Sequence, residues 1–257
     1  MIKVINQDLR RAIINHRFVW AVIGAAALYF ISAYDLGLSQ AILWGNKHHL
    51  LDYLGDAQTV ALMDILPFAA VIPFGAGFAE DWEFHAFHYL ISRTSSKRYR
   101  LSKIIAGTVA GGLITSLSMI IFLLAALPFA ELNPAAVSTY FQYMNDIVKQ
   151  GRWVLYFSFH VALTFIFGAL WASASMLMST VTANRSMIYA VPILLNSVLN
   201  RIVGILSIPG LYAVSFGMVD AQTPLGAFLL CSLILAIPTL IFAISFVLLS
   251  KRRLKDA

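Results

Sequence analysis

Residues 104–130 read IIAGTVAGGLITSLSMIIFLLAALPFA and contain no charged side chain. An α-helix needs roughly 20 apolar residues to cross the hydrocarbon core of a bilayer, so this stretch predicts a transmembrane helix. Five further apolar runs lie before and after it. The six predicted spans are Phe18–Leu38, Val60–Ala79, Ile104–Ala130, Trp153–Val181, Ser186–Leu206 and Leu225–Ser250.

The composition agrees with an all-α polytopic membrane protein. Hydrophobic residues make up 60% of the chain and charged residues 12%, and the mean hydropathy is +0.80. These values exclude a water-soluble globule. The runs lack the ten-residue alternation of outer-membrane strands, so helices are predicted instead of a barrel. A single membrane domain over residues 1–257 is expected.

The distribution of lysine and arginine predicts the orientation. If the N-terminus is cytoplasmic, four of the 18 basic residues lie in outer segments and the other 14 lie in inner ones. This bias is typical of a multi-pass protein of the cell membrane with both termini in the cytoplasm. It also accounts for the net charge of +6 through orientation and anionic lipid, so no nucleic-acid partner is predicted. The four outer residues are Lys47, Lys149, Arg152 and Arg201.

Residues 1–17 have the pattern of an amphipathic helix. Ile5 and Leu9 repeat at helical spacing, while Arg10 and Arg11 lie on the other side. Such a helix is suited to the cytoplasmic membrane interface ahead of the first span. A merely solvated basic tail is the alternative.

Residues 80–103 form the densest polar block between two apolar runs. The first part predicts a short amphipathic helix at the membrane surface, with acids in its first turn, where the helix dipole favours them. A basic segment then turns and re-enters the bilayer. The acids are Glu80, Asp81 and Glu83, the apolar side comprises Phe84, Phe87, Leu90 and Ile91, and the basic residues include Arg93, Arg98 and Lys103.

The order of residues in this block resembles the permease subunits of ABC-2 type exporters. In that family a phenylalanine and acidic cluster ends the second span, and a short helix, a leucine, a Ser-Arg pair and a lysine follow. The matching positions here begin at Phe78 and end at Lys103. Two positions depart from the family pattern, since His85-Ala86 replaces the usual Gly-Thr and Thr94 stands where proline is common.

The resemblance implies that residues 80–103 contain a coupling helix that docks into a separate ATPase subunit. It also implies two ATPase copies that carry ATP and magnesium, and a second permease chain, identical or similar to this one. The expected substrate is amphipathic or hydrophobic, such as a peptide, an antibiotic or a lipid-like molecule. Residues 207–224 would form an outer loop or a re-entrant segment. The expected coupling residues are Glu80, Asp81, Glu83, Phe84, Phe87, Leu90, Arg93, Arg98 and Lys103.

Motifs for chemistry within this chain were not found. No Gly-x-x-x-x-Gly-Lys-Ser/Thr loop occurs, so ATP hydrolysis is expected on another polypeptide. The histidines and acids have no recognised metal-ligand spacing, and neither a metal nor a cofactor is expected in this chain. A transporter subunit that is not an enzyme is therefore predicted. The alternatives are a membrane enzyme acting on a lipid or peptide, and a noncatalytic scaffold or channel.

Several polar residues fall inside the predicted spans, where they are costly unless paired. They suggest a substrate path or a dimer seam, and pairing among Asp64, His160 and Arg201 is one hypothesis. Interhelical hydrogen bonding with snorkelling of the arginine is the alternative. The full set is Asp64, His160, Asn196, Asn200 and Arg201.

Small residues and prolines predict where spans approach and bend. Gly107 and Gly111, together with the ridge that contains Gly168 and Ala172, would allow close helix packing. Pro73 lacks a backbone donor and should distort the second span.

Overall fold

The computed structural model describes residues 2–34, 38–45, 48–55, 57, 65–132, 145–206 and 223–254. Within them the chain is helical, apart from connecting turns and one two-residue parallel strand pair, β1 (His48–His49) with β2 (Ala130–Glu131). This agrees with the predicted all-α class. The helices are α1 (Ile2–Ile13), α2 (His16–Ala33), α3 (Ser39–Trp44), α4 (residues 50–55), α5 (Leu66–Val71), α6 (Gly77–Glu83), α7 (Ala86–Arg93), α8 (Ser96–Ala126), α9 (Asn145–Lys149), α10 (Trp153–Val181), α11 (Arg185–Leu206) and α12 (Pro224–Arg253).

Helices α8 and α10 form the centre of the bundle, and they approach each other at glycines. A Cβ atom on Gly111 would lie 2.5 Å from the Cβ of Ala172 and 2.8 Å from the carbonyl oxygen of Gly168. No side chain fits there, so the two backbones touch, as is common between membrane helices. The Thr115 hydroxyl donates across the same seam to the Thr164 carbonyl at 2.7 Å. The predicted packing role of these small residues is confirmed.

Four helical segments of the described chain are long and apolar enough to cross a membrane. They are His16–Ala33, Ser96–Phe129, Trp153–Val181 and Pro224–Arg253. The chain thus has the features of a membrane-embedded helical protein. The count applies to the described residues, and it is lower than the six spans that the sequence predicts.

The second and fifth predicted runs are not among these four segments. The second predicted run, Val60–Ala79, begins outside the described residues, and its described part is split into α5 and α6 by a turn over residues 72–76. Pro73 lies in this turn and cannot donate a backbone hydrogen bond. The fifth run corresponds to α11, a helix of 22 residues (Arg185–Leu206) whose described apolar stretch covers Arg185–Leu199, so the count of four does not take in its full length.

Basic side chains gather at one end of the bundle, where several helices begin or end. The Arg253 guanidinium, in the last turn of α12, donates to the carbonyls of Ser179 and Thr180 at the end of α10, at 3.2 and 2.8 Å. Helices α2, α8 and α11 begin at this same end, as the ion pairs described below establish. We call it the basic end and define it by Arg11, Arg17, Lys103, Arg185 and Arg253.

Residues 2–13 form the predicted helix, α1. It lies at the basic end, because Arg11 and Asp8 pair there with Asp81 and Lys103. Ala12 is fully buried, and Leu9 packs against an apolar cluster that contains Phe78 and Tyr99. Ile5 is half-buried and Arg10 is exposed. The apolar side of α1 therefore covers the beginning of α8.

Candidate functional site

Helices α6 and α7 meet in a sharp elbow at the basic end. His85, which joins them, has φ +53° and ψ 15°, the left-handed conformation. Residues with a side chain adopt it at a cost, whereas glycine adopts it readily. The elbow turns Phe84 outward, with 70% of its surface exposed, and leaves Phe87 buried. The prediction of one amphipathic helix with Phe84 and Phe87 on the same side was therefore wrong.

Asp81, on the inner side of α6, is the centre of the polar contacts. Its Oδ2 lies 2.6 Å from Nζ of Lys103 and accepts a hydrogen bond of 2.9 Å from the Tyr99 hydroxyl. Its Oδ1 accepts a bond of 2.8 Å from Nη1 of Arg11. Asp81 is 1% exposed and Lys103 is 0% exposed. Charges so deeply buried are tolerated only when they are paired, and each is paired here.

A second acid completes this buried group. Nζ of Lys103 also lies 3.1 Å from Oδ1 of Asp8, and the Ser102 hydroxyl lies 2.5 Å from Oδ2 of Asp8. Two carboxylates thus face two cations, so the group has no net charge. We call Asp8, Arg11, Asp81 and Lys103 the ion cluster. It joins α1, α6 and α8.

The pKa of Asp81 favours its ionised form at neutral pH. Burial by itself raises the pKa of Asp81, but the Lys103 ammonium and the Arg11 guanidinium together lower that pKa below its ordinary value. Nearby cations favour the carboxylate form in this way. The contact between α6 and α8 is consequently a true ion pair.

The two glutamates that flank Asp81 reach other helices. Oε1 of Glu80 lies 3.1 Å from Nη1 of Arg17, in the first turn of α2. Oε2 of Glu83 lies 2.7 Å from Nη2 of Arg185, the first residue of α11. The second pair is largely exposed, so water screens it. These acids therefore tie α6 to the beginnings of two further helices.

Trp82 connects α6 to the end of α12. The Arg253 guanidinium lies 4.6 Å from the centre of the Trp82 ring, a cation–π contact. On α7, Phe87 stacks on Trp82 with ring centres 4.6 Å apart. We call residues Glu80–Glu83 the α6 hub. In a single helical turn it contacts α1, α2, α8, α11 and α12.

Helix α7 presents a free aromatic and basic surface beside the α6 hub. Tyr89 is 58% exposed, and the Arg93 guanidinium lies 4.1 Å from the centre of its ring. Leu90 and Ile91 pack against the cluster under the elbow. We define the α7 face as Phe84, His88, Tyr89, Ser92 and Arg93. Large exposed aromatic residues with an arginine are typical of protein interfaces.

The structure divides the nine expected coupling residues into two groups. Phe84, Arg93 and Arg98 are exposed and Glu83 is half-exposed, so a partner at the basic end can touch them. The other group faces the interior, because partners within the chain neutralise its charges or cover its apolar surface. Asp81, Phe87 and Lys103 are buried, while Glu80 and Leu90 are partly buried. Asp81 and Lys103 are covered by the chain itself, and their role in coupling to an ATPase stays a prediction.

The polar residues that fall inside the predicted spans have different environments. His160 is fully buried, with its ring centre 4.6 Å from that of Tyr156, and Asn196 is 1% exposed. Arg201 is exposed. Asp64, the side chain of Asn200 and residues 207–222 lie outside the described part of the chain. The hypothesis of a triad with Asp64 and the choice between an outer loop and a re-entrant segment therefore stay predictions.

Sequence reasoning missed two members of the site. Asp8 is the only acid in residues 1–17, and it faces Lys103 in the structure. Its signal was a single acid among basic residues on an amphipathic helix. Arg253 was counted only among the 14 basic residues of the inner segments, and nothing in the sequence relates it to Trp82, 171 positions earlier.

Comparisons with protein-family models, with curated proteins and with solved structures found no match to this chain. Among the residues described above, no group of three or more histidine, cysteine or acidic side chains could hold a metal ion. The charged residues of the site hold helices together, and the α7 face remains available to a partner. This arrangement suits transmission of a movement between a partner and the bundle.

Proposed function

We propose that this chain is the membrane-embedded permease subunit of an ABC-2 type ATP-driven exporter, with the α7 face as its contact with the ATPase. The observation that carries the proposal is the position of α7. This exposed helix is attached to the α6 hub, and the hub contacts five helices. A displacement of α7 therefore reaches most of the bundle through direct contacts.

The conformation of His85 supports the resemblance to this family. His85 stands where the family has glycine, and its left-handed φ is one that glycine adopts without strain. The departure at His85 therefore keeps the elbow that the family glycine would favour.

The order of the helices supports six spans. Helices α2 and α8 both begin at the basic end, so the chain must return between them, by way of α5 and α6. Helix α11 begins at that end and α12 finishes there, which agrees with α11 leading the chain away from the basic end and α12 leading it back. We assign the basic end to the cytoplasmic side of the cell membrane, because cytoplasmic segments carry the excess of lysine and arginine.

In the proposed cycle, ATP and magnesium bind to two ATPase subunits, which close and move the α7 face of each of two permease chains. The hub passes this movement to the spans, which alternate between arrangements that favour inner and outer release. Only a difference in ATP affinity between the arrangements can drive such a cycle. An amphipathic or hydrophobic substrate agrees with the apolar bundle.

The test is co-purification. A tagged full-length chain, extracted from its own cells in mild detergent, should retain an ATPase that has a Walker motif and no spans of its own. Tyr89→Glu should release it, because the charge interrupts the aromatic surface. Tyr34→Glu, at an exposed tyrosine at the opposite end of α2, is the matched control and should not.

Two results would overturn the proposal. One is that no ATPase accompanies the chain, and the other is that Tyr89→Glu together with Phe84→Glu retains it fully. Conversion of a lipid or peptide by the purified chain without nucleotide would instead support a membrane enzyme.

A further inference from the structure

A cavity of about 730 Å³ lies between α8 and α10, in the half of the bundle away from the basic end. Helix α8 begins and α10 ends at the basic end. The cavity is lined by residues from the second half of α8 and the first half of α10, so it lies far from that end. We call it the α8/α10 groove. Its lining includes Leu50, Ser116, Leu124, Leu127, Val154 and Phe165.

The lining of the groove is almost entirely hydrocarbon, without a charged side chain among the described lining residues. Its two hydroxyls both donate within their own helices. Ser116 donates to the Leu113 carbonyl at 3.3 Å and Ser158 to the Val154 carbonyl at 2.7 Å. A polar ligand would lose its hydrogen bonds on entering such a site, whereas an alkyl chain loses none.

The dimensions of the groove match one lipid leaflet. From Ser116 to Leu127, the residue that directly follows α8, the helix axis advances by roughly 16 Å at 1.5 Å per residue. Half of a hydrocarbon core that is about 30 Å thick is about 15 Å. The volume also lies in the usual range of ligand sites, roughly 300–1,000 Å³.

We infer that the α8/α10 groove binds one acyl chain of a phospholipid in the leaflet opposite the basic end. The apolar lining of the groove, its position away from the basic end and its length all favour this ligand. Lipid tails are as apolar as the lining, so the preference comes from van der Waals fit in a concave site and not from a hydrophobic driving force. This inference does not depend on the proposed function.

Photolabelling tests it. The full-length chain is reconstituted in phosphatidylcholine vesicles that contain a phosphatidylcholine with a diazirine midway along one acyl chain, and labelled residues are mapped by mass spectrometry. Leu229 and Leu233 of α12 are exposed and report ordinary lipid contact. Labelling of groove residues such as Leu124 and Val161 should exceed the labelling of Leu229 and Leu233 by about threefold. The expected excess is modest, because only van der Waals fit favours binding of the acyl chain in the groove.

A filled groove provides the control. Ala162→Phe places a ring among the lining residues and should return groove labelling to the level of α12, whereas the same change at Ala236 on α12 should leave it unchanged. Thermal unfolding of both variants verifies that they are folded. Equal labelling of groove and α12, or full labelling of Ala162→Phe, would overturn the inference. Crosslinks from groove residues to another chain would also overturn it, by assigning the groove to a second copy.

Discussion

Asp81 and Lys103 carry opposite charges, and both side chains are buried. Each charge is tolerated only because the other is present, and removal of one leaves a buried charge uncompensated. The sequence placed both residues in a block expected to meet a partner. The structure uses them to hold α6 against α8.

Asp81→Asn is expected to lower the free energy of unfolding by about 3–5 kcal/mol, because Lys103 and Arg11 lose their shared carboxylate at nearly constant side-chain volume. Thermal and denaturant unfolding in detergent measure the change. Glu83→Gln is the matched control. Its pair with Arg185 is exposed, so stability should barely change. Equal effects of the two substitutions would contradict a buried ion cluster.

The lowered pKa of Asp81 also predicts an acid dependence. The unfolded chain binds a proton on this residue more readily than the folded chain does, so acid favours unfolding. The stabilisation from Asp81 is complete above the unfolded pKa of about 3.9 and is lost as the pH falls through the lower folded value. Unfolding temperatures at neutral pH and near pH 3 should differ more in the parent chain than in Asp81→Asn. An identical acid loss in both would refute the assignment.

His85→Gly is expected to stabilise the chain by about 1 kcal/mol, because the left-handed conformation strains a residue with a side chain. His88→Gly makes the same chemical change at another exposed position, inside α7. There glycine should destabilise by about 0.3–0.5 kcal/mol, because its helix propensity is poorer than that of histidine. Opposite signs in thermal unfolding would support the elbow, and equal signs would contradict it.

Packing of whole helices depends on the seam between α8 and α10, where small residues let the backbones touch. Gly111→Ala should lower the free energy of unfolding by about 1–3 kcal/mol, since even a methyl group meets Ala172 and the Gly168 carbonyl. Gly24→Ala in α2 is the control. Nothing lies within 4 Å of a Cβ there, so its stability should stay the same or rise slightly. A Gly111→Ala chain as stable as its parent would mean that the seam can open without cost.

The arrangement of the whole molecule separates attachment of a partner from transmission of its movement. The α7 face offers the surface, and the α6 hub distributes the displacement. Substitutions in the two places should therefore affect different measurements, provided that the chain is the proposed permease.

Arg253→Gln should leave the ATPase bound but weaken the response of the spans, because it removes the contacts with Trp82 and with the end of α10. Spin labels at Val154 and Leu225, with Cys231 replaced by alanine, report distances at the opposite end. The ATP-dependent change in distance should decrease, in line with coupling energies of about 0.5–2 kcal/mol. Arg10→Gln, at an exposed arginine of the same end, should behave as the parent. A full distance change in Arg253→Gln would exclude the hub as transmitter.

The helical class, the amphipathic helix within residues 1–17 and the packing of Gly111 against Ala172 were readable from the sequence. Helical periodicity and the size of a side chain depend on residues that are close together in the sequence, so a short stretch of sequence is enough to recognise them. The elbow at His85 was not readable. Nothing in an unbroken helical pattern requires a left-handed residue at that position, and the break changes which aromatic residues are exposed.

Composition and charge order by themselves determined that this chain is a bundle of apolar helices with its cations gathered toward one side, because the cost of polar groups in hydrocarbon depends on residue type alone. Only the tertiary structure decided which charges of residues 80–103 are paired inside and which side chains remain free. Asp8 and Arg253 reach this block from distant parts of the chain, and the energy of a charge depends on what lies within a few ångströms of it.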